Sequence, residues 1–154
     1  MFFSVVIPLY NKAYSIKRCI DSVLNQSYTN FEIIFVNDGS KDSSLEIIRE
    51  YEKEDERIVL ISRENRGLVA SLNEGIEKAR GKYIARMDAD DISLPNRFEE
   101  QLKIMQNDKE IVVCGSWINV FSEKRKEKIS KYFENDKEIK ANLIISCCFA
   151  HPSV

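Results

Sequence analysis

The 154 residues suit one domain with a layered core, and a make-up of 44% hydrophobic and 31% charged residues is that of a globular protein, not a disordered or fibrous one. Basic and acidic residues number 23 and 25, a net charge of −2, without the basic excess that nucleic-acid binding calls for. No apolar run approaches the ~20 residues of a membrane span, and the apolar start MFFSVVIPLY lacks a basic leader and meets Pro8 too early for a signal peptide.

Phe2 to Leu9 is a short run rich in branched residues and predicts a buried strand. After the loop YNKAYS, Ile16, Cys19, Ile20, Val23 and Leu24 fall at helical spacing and give one apolar face, which QSYTN ends. FEIIFV (Phe31 to Val36) predicts a second buried strand and NDGSKD a turn. Ser43 with Glu46 predicts a capping box for a helix carrying Leu45, Ile48 and Tyr51. RIVLIS (Arg57 to Ser62) predicts a third strand. Leu68, Leu72, Ile76 and Ala79 then form a helix stripe, with Gly81 where a C-terminal cap belongs. KYIARM predicts a fourth strand. Ser93 and Pro95 open a helix with Phe98, Leu102 and Met105 on one face. EIVVCGSWINVF predicts a fifth strand, longer than the others, with Trp117 in the core. SEKRKEK (Ser122 to Lys128) predicts a solvated turn, and Asp136 to Ile145 a short helix.

This alternation predicts a three-layer α/β/α fold around a mainly parallel sheet, and ligands of such sheets bind beyond the carboxyl ends of the strands. Those ends carry Pro8 to Asn11, Asn37 to Ser40, Glu64 to Gly67, and the cluster Asp88, Asp90 and Asp91. Asp88 and Asp90, two apart in extended chain, point the same way. The pair suits Mg²⁺ or Mn²⁺, with coordination positions left for a diphosphate; the plainer reading is that Asp91 or Ser93 caps the next helix. Asp38 is either an acceptor for a base N–H or ribose hydroxyl, or part of an Asp-Gly turn. Arg86 either pairs with phosphate or balances the acidic cluster. GxGxxG and GxxxxGK[ST] are absent, against a dinucleotide site and a P-loop. The only histidine, His151, has no nucleophile elbow to serve. Cys19, Cys114, Cys147 and Cys148 show no zinc spacing and read as buried, reduced thiols of a cytosolic protein. A phospho-receiver domain would need its acidic pair after the first strand, where PLYN stands.

VVIPLYN, FEIIFVNDGSKDSS, ENRGLVASLNEGIEKARGKYIARMDADD and LPNRFEEQ occur in this order, and together, over about Ser4 to Val154, resemble the nucleotide-sugar-binding half of family-2 glycosyltransferases with the GT-A fold. The resemblance implies a metal-dependent, inverting transfer of sugar from a nucleoside diphosphate sugar, foremost a UDP-sugar. The implied acceptor is a saccharide or a lipid-linked one in polysaccharide or cell-surface glycan synthesis. The implied place is the cytoplasm, with peripheral attachment at the inner face of the plasma membrane. By the same resemblance, Pro8, Leu9, Tyr10 and Asn11 line the nucleoside pocket and Asp38 contacts the base. Asn65 and Arg66 lie beside the nucleotide, and Arg86 faces the diphosphate. Asp88 and Asp90 form the DxD motif, contacting ribose and Mn²⁺ or Mg²⁺, with Asp90 as the direct ligand and Asp91 orienting the motif. The family's general base follows the segment similar to AHPSV. The implied unit is therefore a single nucleotide-sugar-binding domain, residues 1–154, shortened at its C-terminus and without most of the acceptor region. Glu134, Asp136 and Glu138 read as a solvated helix start, not as that base. The alternative is a module that binds nucleotide and metal without transfer.

Overall fold

Every residue of FSVVIPL and FEIIFVND is buried, a state open only to strands covered on both faces. The computed structural model describes residues 2–122 and 125–154. In chain order it contains β1 (Phe3–Leu9), α1 (Ile16–Leu24), β2 (Phe31–Asp38), α2 (Ser44–Glu54), β3 (Ile58–Arg63), α3 (Leu68–Lys78), β4 (Tyr83–Arg86), α4 (Arg97–Asn107), β5 (Ile118–Ser122), β6 (Arg125–Ser130), α5 (Asp136–Asn142) and a 3-10 turn at His151–Ser153. β3, β2, β1 and β4 lie side by side in that order, all parallel. The register pairs Phe3 with Phe31 and Leu9 with Asn37, so β1 and β2 end level. The expected α/β/α architecture with a parallel central sheet is present. Among the described residues no helix is long and apolar enough to cross a membrane.

Successive strand side chains alternate between faces. Phe3, Val5, Ile7, Phe31, Ile33 and Phe35 face α1, α2 and α4, meeting Ile16, Ile20 and Val23, then Ile48, then Phe98 and Leu102. Phe98 stacks on Phe3 at 5.2 Å between ring centroids and meets Phe31 edge-on at 5.6 Å. Each such fully buried side chain contributes about 1.5–3 kcal/mol.

On the other face α3 approaches Val6 and Val36 through Gly75, where an added Cβ would stand 2.5 Å from Val6 Cγ1. The helix therefore buries Ser71 and Gly75, not the expected stripe, and leaves Leu68 and Ile76 exposed. Close approach needs small residues, so the leucines flank the contact instead of forming it. Deeper on this face Glu32 is buried. Its carboxylate accepts from Ser4 Oγ at 2.6 Å and from Arg80 N, Nε and Nη2 at 2.8, 2.9 and 2.6 Å. Burial works against the Glu32 charge, but these donors hold its carboxyl below the ordinary range.

Helix ends depart from the expected caps. Ser43 makes no side-chain cap bond; the Ser44 amide instead donates to Asp42 Oδ1 at 3.0 Å. α3 ends at Lys78, and Gly81 lies beyond its cap. There a Cβ would meet Ser4 N at 2.5 Å, so Gly81 serves a close passage across β1. α4 starts at Arg97 behind Asn96. Neither Asp91 nor Ser93 caps it; Ser93 is buried and bonded to Ser22 and Gln26.

The long fifth strand does not form. Only Ile118–Ser122 is extended, paired antiparallel with β6 in a separate two-stranded sheet. The preceding backbone finds its partner in a side chain: Gln101 Nε2 donates to Cys114 O at 3.0 Å. Trp117 is not core. It is 43% exposed, and its Nε1 donates to Tyr132 O. The charged stretch expected as a turn runs partly along β6, while Glu123 and Lys124 lie outside the described residues. All four cysteines are free; Cys19 and Cys148 are buried, Cys114 is half-buried and Cys147 exposed.

Candidate functional site

The level strand ends open onto a cavity of about 450 Å³. Its wall takes Pro8, Leu9, Tyr10 and Lys12 from the segment at the end of β1, and Asp38 from β2. Asn65, Gly67, Leu68 and Ser71 come from the β3–α3 connection, and Asp88, Ala89 and Asp90 from the turn after β4.

The first loop is braced against the second. Asn11 adopts a left-handed backbone, φ 52°, which Asn tolerates better than most residues. Its amide donates to Ser40 Oγ at 3.0 Å, and its side-chain oxygen accepts from Lys41 N at 2.8 Å. Lys12 N donates to Ser44 Oγ at 2.8 Å and Ala13 N to Asp42 Oδ2 at 3.0 Å.

Asp38 ties the third loop to the second strand. Its Oδ1 accepts from Arg66 N at 2.7 Å and from the Arg63 guanidinium, and its Oδ2 from Gly67 N at 2.9 Å. Asn65 Nδ2 donates to Asp38 O at 2.9 Å. Burial pushes the Asp38 carboxyl up, but the Arg66 amide, the Arg63 guanidinium and the Gly67 amide outweigh it and hold the group below its usual range. Arg63 is itself held by Glu74 and by Ser71 Oγ. A carboxylate oxygen has two acceptor positions, so Oδ2 keeps one beyond the Gly67 amide.

Asp88 and Asp90 each pair with a cation. Arg86 Nη2 lies 2.6 Å from Asp88 Oδ1, and Lys12 Nζ 2.5 Å from Asp90 Oδ2, with the two carboxylate side chains 35% and 38% exposed. Asp91 is half-buried; burial, then Asp88 and Asp90, push its carboxyl up against the pull of Arg86 and Arg97. Beneath the cluster burial lowers Arg97 to about 10, and its Nη2 donates to Arg86 O and Val154 O. Among the described residues no group of three or more His, Cys, Asp or Glu side chains could hold an ion alone. Asp88 and Asp90 are two accessible carboxylates, a donor set that could hold a hard divalent cation only together with oxygens from outside the protein.

Of the residues expected at the site, the cavity brings together Pro8, Leu9, Tyr10, Asp38, Asn65, Asp88 and Asp90. Asn11 stands outside its wall as the loop brace. Arg66 is exposed and offers Asp38 its amide. Arg86 lines the neighbouring apolar groove, with Nε and Nη1 buried and without a hydrogen-bond partner. Lys12, Arg63 and Ser71 were not anticipated. The only sequence signals were a lysine directly after the YN of the first loop and an arginine at the end of the third strand.

The parallel sheet β3-β2-β1-β4 with its covering helices is a fold of the GT-A kind. Solved structures share it. A mannosyltransferase from Pyrobaculum calidifontis in complex with GDP-Man and Mn²⁺ superimposes with a TM-score of 0.66 at 22% identity, over 77% of this chain and 35% of that one. S. aureus TarS 1–349 in complex with UDP-GlcNAc gives 0.65 at 24% identity, over 70% and 32%. Residues 4–153 match the model of Glycosyl transferase family 2, and the chain belongs to that family. Relatives include the putative glycosyltransferase EpsH of Bacillus subtilis, 43% identical over 112 residues, 73% of this chain and 33% of the relative. An uncharacterized glycosyltransferase of Methanocaldococcus jannaschii is 40% identical over 158 residues, 98% of this chain and 54% of the relative. The chain thus spans about a third to a half of the length of these curated relatives.

Proposed function

We propose that the cavity binds a nucleoside diphosphate sugar, a UDP-sugar, and that the site serves inverting transfer of the sugar to a saccharide or lipid-linked acceptor of a cell-surface glycan, at the cytoplasmic face of the plasma membrane. The observation that carries this reading is that Asp38 and the pair Asp88 and Asp90, from separate strand ends, line one cavity of about 450 Å³, a size typical of small-molecule sites. Related folds hold donors of this class: TarS was solved with UDP and with UDP-GlcNAc, and the Pyrobaculum enzyme with GDP-Man and Mn²⁺.

Tyr10, exposed at the mouth, offers an aromatic face to the base. Asp38 keeps an acceptor position for a base N–H, on a carboxylate fixed by three other donors. Asp88 and Asp90 would hold Mn²⁺ or Mg²⁺. When bound, that cation supplies compensation for the negative charge gathering on the departing diphosphate. Arg86, paired with Asp88, adds positive charge behind the motif. Transfer also needs a base for the acceptor hydroxyl. Of the acids lining the cavity, Asp38 is engaged by the third loop and Asp88 and Asp90 are the cation's ligands. This favours a second reading for residues 1–154 by themselves: donor and metal binding with little transfer.

Calorimetric titration with UDP tests the first reading. UDP should bind in the presence of Mn²⁺ and at least tenfold more weakly without it. Asp90→Asn should lose that metal-dependent gain while keeping its circular dichroism spectrum. Absence of UDP binding with Mn²⁺ would refute the donor site, and brisk sugar transfer by residues 1–154 would refute the second reading.

A further inference from the structure

Lys12 is the only basic side chain among the described residues lining the cavity, and its backbone is hydrogen-bonded on both sides. Its amide donates to Ser44 Oγ, and its carbonyl accepts from Ser15 N and Ile16 N, both at 3.0 Å. The flanking Asn11 and Ala13 amides are held by Ser40 and Asp42. From that backbone the side chain reaches Asp90, with Nζ 2.5 Å from Oδ2. Both partners are about one-third exposed. A pair this open contributes little to stability and so is readily exchanged.

We infer that the Lys12 ammonium occupies the position on Asp90 that a divalent cation takes, so that the two exclude each other, and that the displaced ammonium then serves as a ligand for the donor's diphosphate. The inference rests on Asp90 as a cation ligand and goes beyond it. An ammonium and a doubly charged ion cannot share one carboxylate oxygen without like-charge repulsion at contact distance, where Coulomb energies are steepest. Once released, Lys12 remains tethered to the same cavity wall, where it meets the phosphate charge. The lysine thus weakens binding of the bare cation and strengthens binding of donor and cation together.

The two halves predict opposite signs for one substitution. In Lys12→Met, Mn²⁺ affinity without nucleotide, read from the paramagnetic resonance of the free ion, should tighten about three- to tenfold. UDP affinity at saturating Mn²⁺ should weaken by a similar factor. In an Asp90→Asn background Lys12→Met should no longer tighten Mn²⁺ binding, because no pair is left to break. Lys12→Gln should repeat the pattern if Met disturbs folding. Unchanged or weaker Mn²⁺ binding in both variants, or no measurable Mn²⁺ uptake by any of the proteins, overturns the exchange. Unchanged UDP affinity at saturating Mn²⁺ overturns the phosphate half. Should the wild-type chain take up Mn²⁺ but not UDP, the donor reading fails while the Mn²⁺ titrations still decide the exchange at Asp90.

Discussion

Residues 2–107 and residues 108–154 are similarly rich in apolar side chains, yet treat them differently. In the first region β1 and β2 are covered on both faces, and Val5, Val6, Ile7, Ile33, Ile34 and Phe35 have no exposure. In the second, the described residues that are buried are Cys148, Ala150 and Ser153, while Val112, Ile144 and Ile145 are 85%, 87% and 85% exposed. The first region brings its own cover, because each parallel crossover lays a helix over the strands it joins. The second is a two-stranded hairpin and a short helix, which by themselves lack the layers a core needs. Polar bonds tether it to the first region. Gln101 Nε2 donates to Cys114 O and Ser153 O, and Arg86 N donates to Val154 O at 2.6 Å. Hydrophobic content alone therefore does not tell which segment owns a core; the order of elements does.

Equal truncations in the two regions test that contrast most strongly. Phe98→Ala removes the ring that stacks on Phe3 and meets Phe31 edge-on and should cost about 4 kcal/mol in urea unfolding. Phe121→Ala, at a side chain half exposed on β5, should stay within about 0.5 kcal/mol. Comparable losses at both positions would show that the hairpin is part of the core.

Charge provides the next test. Glu32→Ala leaves the Ser4 hydroxyl and the Arg80 amide without their buried acceptor, while the Arg80 guanidinium, its side chain 66% exposed, turns to water; the loss should be about 1–3 kcal/mol. The folded Glu32 carboxyl titrates below its unfolded value of roughly 4.3. Its stabilisation is therefore complete above that pH and is lost as the pH falls through the lower, folded value. Glu32→Gln, which cannot titrate, should lose this part of the acid dependence when urea midpoints at pH 7 and pH 3 are compared. Asp136→Ala, which removes the exposed Asp136–Lys140 pair of the second region, should change stability little at any one pH, since open helix pairs add little.

The same contrast explains what could be read from the sequence. β1 to β4, their helices and the sheet class were legible, because continuous apolar runs alternating with helical stripes leave few topologies open. The convergence of Asp38 with Asp88 and Asp90 followed from the strand ends alone. The buried face of α3 was not legible. Its contact is made by Gly75 and Ser71, and a hydrophobic stripe cannot report a contact made by the absence of a side chain. Lys12 and Arg63 were missed because their meaning lies in partners 78 and 25 positions away, Asp90 and Asp38. The run from Glu110 to Trp117 reads as a strand by composition, but a strand also needs a neighbour, and this segment bonds to the side chain of Gln101 instead.

The smallest expected effect probes the tether itself. Ser153 Oγ accepts from Ser116 N at 3.1 Å and donates to Ala150 O at 2.8 Å. Ser153→Ala leaves the Ser116 amide without its partner, a loss of about 1 kcal/mol. If the tether is a local contact and not a continuation of the core, the change should remain local. Amide exchange at Ser116 and at Arg86, whose N–H donates to Val154 O, should quicken, while Val6 and Ile33 in the central strands keep their protection, since regions open independently when few contacts join them. Acceleration at Val6 and Ile33 together with the tether amides would mean that the two regions unfold as one cooperative unit, and the division between covered sheet and exposed hairpin would then describe surface exposure and not stability.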